Sequence, residues 1–451
     1  MILINSNKLI NISSILFLLL PISIVLSKFF ADLTVVILAI SFFFFNKSFN
    51  LNNDKKFYNN IFFVLFFSLI AFSVISSLFS SNILISLKSS FLHYRFIFFS
   101  LSIGYLFTVK TEKNLKFFFY ILLGIYIVFL LDGTYQFIFK KNILGYVTNP
   151  TTRVSSFFFD ELVLGSYLSR LFPILFFLYL FLKIKINIYL IIYFLTHLYF
   201  VTFITGERLS FLMINIYYFL FPIYLIKTKL KRTVFVFSFI SFFLIILSSS
   251  QSFNQRSSIK NITDQFTTFN YTICEETKVR VKSSEYLKNK LKQIPNCEPL
   301  ITIFGVKVYN IYSVMHYNHY ISALEIFKDN ILIGIGPKNY RYECNKEKYF
   351  FNEFSCSTHP HNYLLQILSE TGLSGGVIFI LIYISFLYLY FKEIILFDNK
   401  NSLLKLVLLS SILVNFFPLF PSGNFFNNWN SILYTLPLGF LLGFYRFIQW
   451  K

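Results

Sequence analysis

The sequence predicts an all-α polytopic membrane protein of about twelve transmembrane helices, with one large and mainly helical loop outside the membrane. Three observations carry that prediction. Hydrophobic residues make up 56% of the 451 residues and charged residues 13%, more apolar surface than a soluble domain of this length can bury. The apolar residues fall into twelve runs of the length that spans a bilayer, near 10–27, 29–45, 60–79, 91–108, 117–136, 163–182, 186–204, 209–226, 233–249, 374–391, 403–420 and 429–448. All four cysteines, Cys274, Cys297, Cys344 and Cys356, lie in the one long polar region, 250–372.

The first run, Ile10 to Leu26, has few charges before it and no small-residue cleavage site, so it reads as a retained helix and not a signal peptide. With the N-terminus in the cytoplasm, the inside connections contain Lys47, Lys55 and Lys56, then Lys110, Lys113 and Lys116, then Lys183 and Lys185, then Lys227 to Arg232, then Lys392 and Lys400, and finally Lys451. Positive charge holds such loops inside, so the net charge of +20 reports topology and no nucleic-acid partner is predicted. The abundance of Phe and Tyr fits codon bias from an AT-rich genome and receives no binding role. The chain then divides into 1–249, helices 1 to 9 with short loops, 250–372, the extracytoplasmic loop, and 373–451, helices 10 to 12. An even number of cysteines in one outside loop predicts two disulfides in an oxidising compartment, and Cys274–Cys297 with Cys344–Cys356 is the most local of three pairings. Tyr309, Tyr312, Tyr317, Ile321, Leu324, Ile326 and Phe327 make the loop too apolar for a disordered linker, so it should fold as a small helical cap.

Arginines on the outer side work against the topology signal. Arg153 lies in the outer loop Thr151-Thr152-Arg153-Val154-Ser155-Ser156, Arg208 in the short outer turn Thr205-Gly206-Glu207-Arg208, and Arg95 at the start of the fourth helix. Each taken singly is either a snorkelling side chain or a functional group; together they suit the phosphate oxygens of a lipid diphosphate. Deeper in the membrane, Asp132 and Arg170 predict a structural ion pair. The loop ends in His359-Pro360-His361-Asn362, where Pro360 suits a first helical position, Leu364, Leu365 and Leu368 give an apolar stripe, and Gly372 ends the helix. That reading puts His361 in the first turn, where the positive helix end keeps the ring neutral and attracts an anionic leaving group, an arrangement for a general base. The competing reading has His359 and His361 capping the helix or packing against the cap. His316 and His319 either join the site or face water, while His93 and His197 read as structural. A zinc site from His316, His359 and His361 lacks a carboxylate at ligand spacing, the cysteines lack a CxxC pair, and no cofactor is predicted. Gly334-Ile335-Gly336-Pro337 reads as a turn, since no Gly-Lys-Ser/Thr follows it.

With these residues in view, the chain resembles the bacterial O-antigen ligase and polymerase superfamily. The resemblance rests on Arg153 with Phe159-Asp160-Glu161 and Gly165-Ser166-Tyr167-Leu168, on Thr205-Gly206-Glu207-Arg208, on Ala323-Leu324-Glu325-Ile326-Phe327-Lys328-Asp329-Asn330 leading to Gly334-Ile335-Gly336, and on His359-Pro360-His361-Asn362 with Glu370-Thr371-Gly372. It implies a lipid-dependent glycosyltransferase bundle in the bacterial inner membrane, with both termini cytoplasmic and a metal-independent active site facing the periplasm. By that resemblance His361 is the base, and Arg153 and Arg208 lie near an undecaprenyl-diphosphate-linked glycan donor. Lipid A core is the implied acceptor. Many members carry a further arginine ahead of the Ala-Leu-Glu segment; here either His316 replaces it or Arg341 supplies the charge, and His359 and Asn362 complete the substrate contacts. A polymerase joining lipid-linked repeat units is the nearest alternative, and a transporter of lipid-linked or anionic solutes is a third.

Overall fold

The computed structural model describes residues 6–45, 61–109, 112–147, 153–226, 301–303, 306–308, 314–351, 354–397 and 400–449. Among these residues the regular structure is helical apart from one short hairpin and an isolated antiparallel bridge between Lys141 and Val147. The helices are α1 (Ser6–Leu26), α2 (Lys28–Phe45), α3 (Ile61–Leu78), α4 (Ile83–Val109), α5 (Glu112–Phe139), α6 (Leu164–Phe181), α7 (Ile188–Ile204), α8 (Arg208–Ile226), α9 (Val314–Asp329), the single turn α10 (Tyr340–Glu343), α11 (Tyr363–Ile395), α12 (Lys400–Asn415) and α13 (Asn428–Gln449). The hairpin pairs β1 (Ile301–Ile303) with β2 (Val306–Val308), Ile301 opposite Val308.

Six helices, α1, α4, α5, α6, α8 and α11, are long and apolar enough to cross a membrane, and α3 and α7 are apolar but shorter. Their outward faces stay apolar: Phe43, Phe72, Phe117, Val128, Phe219 and Tyr388 are exposed, as expected where lipid is the solvent. Inside, α13 lies along α4, and a methyl group on Gly439 would come within 2.7 Å of Ile103 Cβ, so the close approach requires a residue without a side chain. The core around them is built largely from Phe, Leu and Tyr. α3 and α12 flank α11, and α6 packs on α8 and α12.

Most element positions agree with the apolar runs. The fourth helix starts earlier than the run near 91, at Ile83, because Ser86 and Ser90 are buried in a hydroxyl network with Ser77. The run near 403–420 stops being helical at Asn415, and the residues after it form the loop that meets the candidate site. The run near 233–249, Cys274 and Cys297 lie outside the described residues. The expected Asp132–Arg170 ion pair does not form. The loop after α5 folds back over its end, so Ile143 N donates to Asp132 Oδ1 at 2.8 Å and the Ser156 hydroxyl donates to Oδ2. These nearby donors satisfy the carboxylate, and Arg170 instead lies beside Tyr217 and Tyr363.

Gly372 breaks α11 with φ 68° and ψ −168°, dividing it into a short amphipathic turn region, Tyr363 to Thr371, and a lipid-spanning part from Leu373 on. Leu373 N donates to Ile331 O at 2.6 Å across the break. A Cβ at position 372 would sit 2.4 Å from Leu332 O, so both the backbone angle and the contact demand glycine. Gly372→Ala should therefore cost at least about 2 kcal/mol, read as a lowered thermal unfolding temperature of the purified protein. Gly124→Ala, where nothing lies within 4 Å, should leave it unchanged.

Candidate active site

The site is assembled where α9, α10 and the start of α11 meet the loop between α12 and α13. Tyr340 is fully buried, and its hydroxyl lies 3.1 Å from His319 O and 3.0 Å from Ser355 O, joining α9 to the segment that leads into the histidines. Cys344 and Cys356 form a disulfide, with Cα atoms 5.2 Å apart, that closes the same corner. Behind them Ala323, Ile326, Ile335, Tyr340, Cys344 and Tyr349 make a small apolar cluster separate from the bundle core. The cap thus has its own core, small enough that a cross-link matters for its stability.

Four histidines converge on this corner. The ring of His361 lies 4.1 Å from that of His359, 5.2 Å from that of His319 and 5.5 Å from that of His316, centroid to centroid, with His319 stacked on it. His316 and His319 therefore join the cluster, His319 buried and His316 half-buried. Among the described residues, no group of three or more His, Cys, Asp or Glu is arranged to hold a metal ion. His93 and His197 are structural, bonded through Nε2 to Tyr434 Oη at 2.9 Å and Thr134 Oγ1 at 2.7 Å.

The first-turn position expected for His361 is corrected by the cap geometry. Helix α11 starts at Tyr363, and Asn362 is its N-cap, its side chain accepting from Leu365 N at 2.9 Å. His361 precedes the cap in the left-handed region, φ 57°, held there because its carbonyl accepts from Ser422 N at 2.8 Å and Tyr320 Oη at 3.3 Å. Asn362 Nδ2 donates to Pro418 O at 2.7 Å and Phe420 O at 3.2 Å, so one side chain caps the helix and clamps the α12–α13 loop. Burial, more than the helix dipole, keeps these rings neutral. Desolvation, then the neighbouring His359, His316 and His319, bring His361 down to about 2, and desolvation leads the fall of His359 to about 4.

A second group gathers at the α7–α8 turn. Arg153 Nε donates to Thr205 O at 3.0 Å and its side chain packs on Gly206. Glu207 accepts from Gly165 N at 2.7 Å and from Ser166 N at 2.9 Å, capping α6 from a neighbouring turn, and from the Ser166 and Ser210 hydroxyls. Burial raises its pKa while Ser166, Ser210 and Arg153 oppose that rise. Arg208, half-buried, opens α8 next to it. The arginine turn and the histidine cluster are built by different elements, α6 to α8 and α9 to α11. Arg341 is the arginine whose charge acts on His359, and Arg170, buried on α6, acts on Tyr363 just after His361.

Sequence reasoning missed the supports. Gln366 accepts from Phe425 N at 2.8 Å and donates to Asn424 Oδ1 and Glu370 Oε2, both at 3.0 Å. Two polar residues one turn apart in an otherwise apolar helix were the available signal.

An apolar helical bundle carrying a capped, histidine-lined polar corner defines a multi-pass membrane protein with an enzyme-like site. Residues 189–380 match the family model described as O-Antigen ligase, and this stretch is thus similar to a superfamily whose members are ligases or polymerases of the glycosyltransferase kind. The matched region contains both the Thr205–Arg208 turn and all four clustered histidines. No curated protein matches the chain.

The lowered histidine pKa values set a pH dependence. An unfolded chain protonates these rings near 6.5, whereas the folded chain resists protonation down to about 4 at His359 and about 2 at His361. Stability contributed by the neutral rings is complete above pH 6.5 and is lost as pH falls from there toward those values. Chemical denaturation between pH 7.5 and about 4.5 should show this loss, and a His359→Asn, His361→Asn double variant should flatten it.

Proposed function

We propose that the protein is an O-antigen ligase-like glycosyltransferase that moves a glycan from undecaprenyl diphosphate to lipid A core at the periplasmic face of the inner membrane. The observation that carries this reading is the convergence of four histidine rings at the buried start of α11 within a segment that matches the O-antigen ligase family. In this reading twelve helices cross the membrane, both termini are cytoplasmic, and residues 250–372 form the periplasmic loop between spans 9 and 10.

An acceptor hydroxyl attacks the anomeric carbon of the donor, the bond from that carbon to the diphosphate oxygen breaks, and His361 takes the hydroxyl proton. Attack and departure on opposite faces invert the carbon. A neutral imidazole is in the correct state to accept a proton, and the approach of an anionic diphosphate raises its affinity for that proton. Arg153 and Arg208 stabilise the charge that grows on the leaving diphosphate, the position where fixed cations help most, so the reaction is read as metal-independent. His316 and His359 complete the contacts around His361, and Asn362 ties the segment that carries it to the α12–α13 loop.

Transfer is tested in liposomes containing the purified protein, a glycan on undecaprenyl diphosphate and lipid A core. His361→Ala should lower the rate about 100-fold or more, and Arg208→Ala about 10-fold to 100-fold. Full transfer by either folded, inserted variant sinks the mechanism. Deleting the gene separates ligase from polymerase: loss of a ligase leaves bare core and lipid-linked polymer, whereas loss of a polymerase leaves core bearing a single repeat.

A further inference from the structure

The outer end of α4 is docked against the segment that contains α10. Asn82 Nδ2 donates to Asn339 Oδ1 at 3.1 Å, Ser81 Oγ donates to Glu343 Oε1 at 3.0 Å, and Ser80 and Ser86 lie where a side chain on Gly336 would go. This docking gathers four cations. Lys88 and Arg95 are two turns apart on one face of α4, and both act electrostatically on Lys338, as does Arg341. Arg95 has a partner, Asp32, at 2.7 Å. Among the described residues, Lys88, Lys338 and Arg341 form no ion pair.

One carboxylate, Glu370, acts on both Lys338 and Arg341, so the cations of this corner outnumber it. Glu370, the carboxylate that acts on Lys338, is already engaged by Tyr340 N at 3.3 Å and Gln366 Nε2 at 3.0 Å. Arg341 Nε is buried without a hydrogen-bond partner among the described residues. Lys338 is half-buried in the left-handed region, φ 62°, and burial, followed by the Arg341 charge, lowers its pKa. Like charges held together in this way repel one another until an anion lies between them. The cluster also adjoins the histidines, since the Arg341 charge acts on His359.

We propose that Lys88, Lys338 and Arg341 form a second phosphate-binding site beside the histidine cluster, which takes the phosphorylated headgroup of the acceptor glycolipid while Arg153 and Arg208 take the donor diphosphate. The division rests on the glycosyl-transfer reading above. Displacement needs the acceptor hydroxyl on one side of the anomeric carbon and the leaving diphosphate on the other, so two anionic lipids require two separate sets of cations. The structure supplies two: one on α4 and the α10 segment, packed with α3 and α13, and one at the α7–α8 turn, packed with α6 and α12.

Binding is measured with the full-length protein in nanodiscs, titrated separately with lipid A, undecaprenyl phosphate and inorganic phosphate. Lys338→Gly retains a residue suited to the left-handed backbone while removing the charge, so it is combined with Arg341→Gln. The double variant should bind lipid A about tenfold more weakly and undecaprenyl phosphate as the parent does. Lys88→Gln, at an exposed position, should weaken lipid A binding in the same direction. Unchanged lipid A affinity, or equal loss of both lipids, overturns the proposal. Displacement of lipid A by an equal concentration of inorganic phosphate also overturns it, because the site then serves a soluble anion. If the binding pattern holds but the parent transfers no glycan, the glycosyl-transfer reading fails and the phosphate site stands. If transfer proceeds and the double variant leaves the KM for lipid A core unchanged, the phosphate site fails and the reaction stands.

Discussion

Among the described residues, the segments that meet above the bundle are held by the way the backbone around Glu370 is hydrogen-bonded. Ile335 N donates to Ser369 O at 3.1 Å, Gly336 N to Glu370 O at 2.8 Å, and Ser76 Oγ to the same Glu370 carbonyl at 2.7 Å. An irregular turn buried against a membrane helix has no water to satisfy its amides, so it is stable only where another backbone offers acceptors. The break at Gly372 creates those acceptors by ending the ladder of the short first part of α11. One turn of helix thereby fixes α3, the turn after α9 and, through Gln366, the α12–α13 loop.

The histidine corner follows from that frame. His361 is kept in a left-handed conformation by bonds to its carbonyl from Ser422 and Tyr320, and Asn362 ties the adjoining helix start to Pro418 and Phe420. A position of this kind costs conformational energy and persists because several neighbours determine it at once. The Cys344–Cys356 bond and the small cluster around Tyr340 perform the same service from the cap side. In the proposed reading, substrate chemistry and loop anchoring act through the same few residues. The neutral state of His361 is a consequence of where the ring is packed, and any anion bound beside it changes its proton affinity directly.

Much of this was legible in the linear chain. Runs of apolar residues mark helices because a span must satisfy its own backbone and face lipid, and α1, α2, α3 and α7 lie within a few residues of the runs that predicted them. Cys344–Cys356 was the local pairing, and Gly372, read as a helix end after the apolar stripe, breaks α11 there with a backbone that glycine tolerates. Asp132 and Arg170 went wrong for an instructive reason. A pairing inferred from depth alone ignores the loop that folds back onto Asp132 with two closer donors.

The sequence by itself determined the membrane class and the identity of His359, His361, Arg153 and Arg208 as residues needing explanation, because burial in lipid penalises every unpaired polar group and so leaves a pattern in composition. Only the tertiary structure decided that His319 stacks on His361 while His316 meets it edge-on, that Asn362 rather than Pro360 governs the helix start, and that Lys88, Lys338 and Arg341 share a corner. Those groupings join residues far apart in the chain, and hydrogen bonds made by side chains across elements leave no periodic trace in the sequence that encodes them.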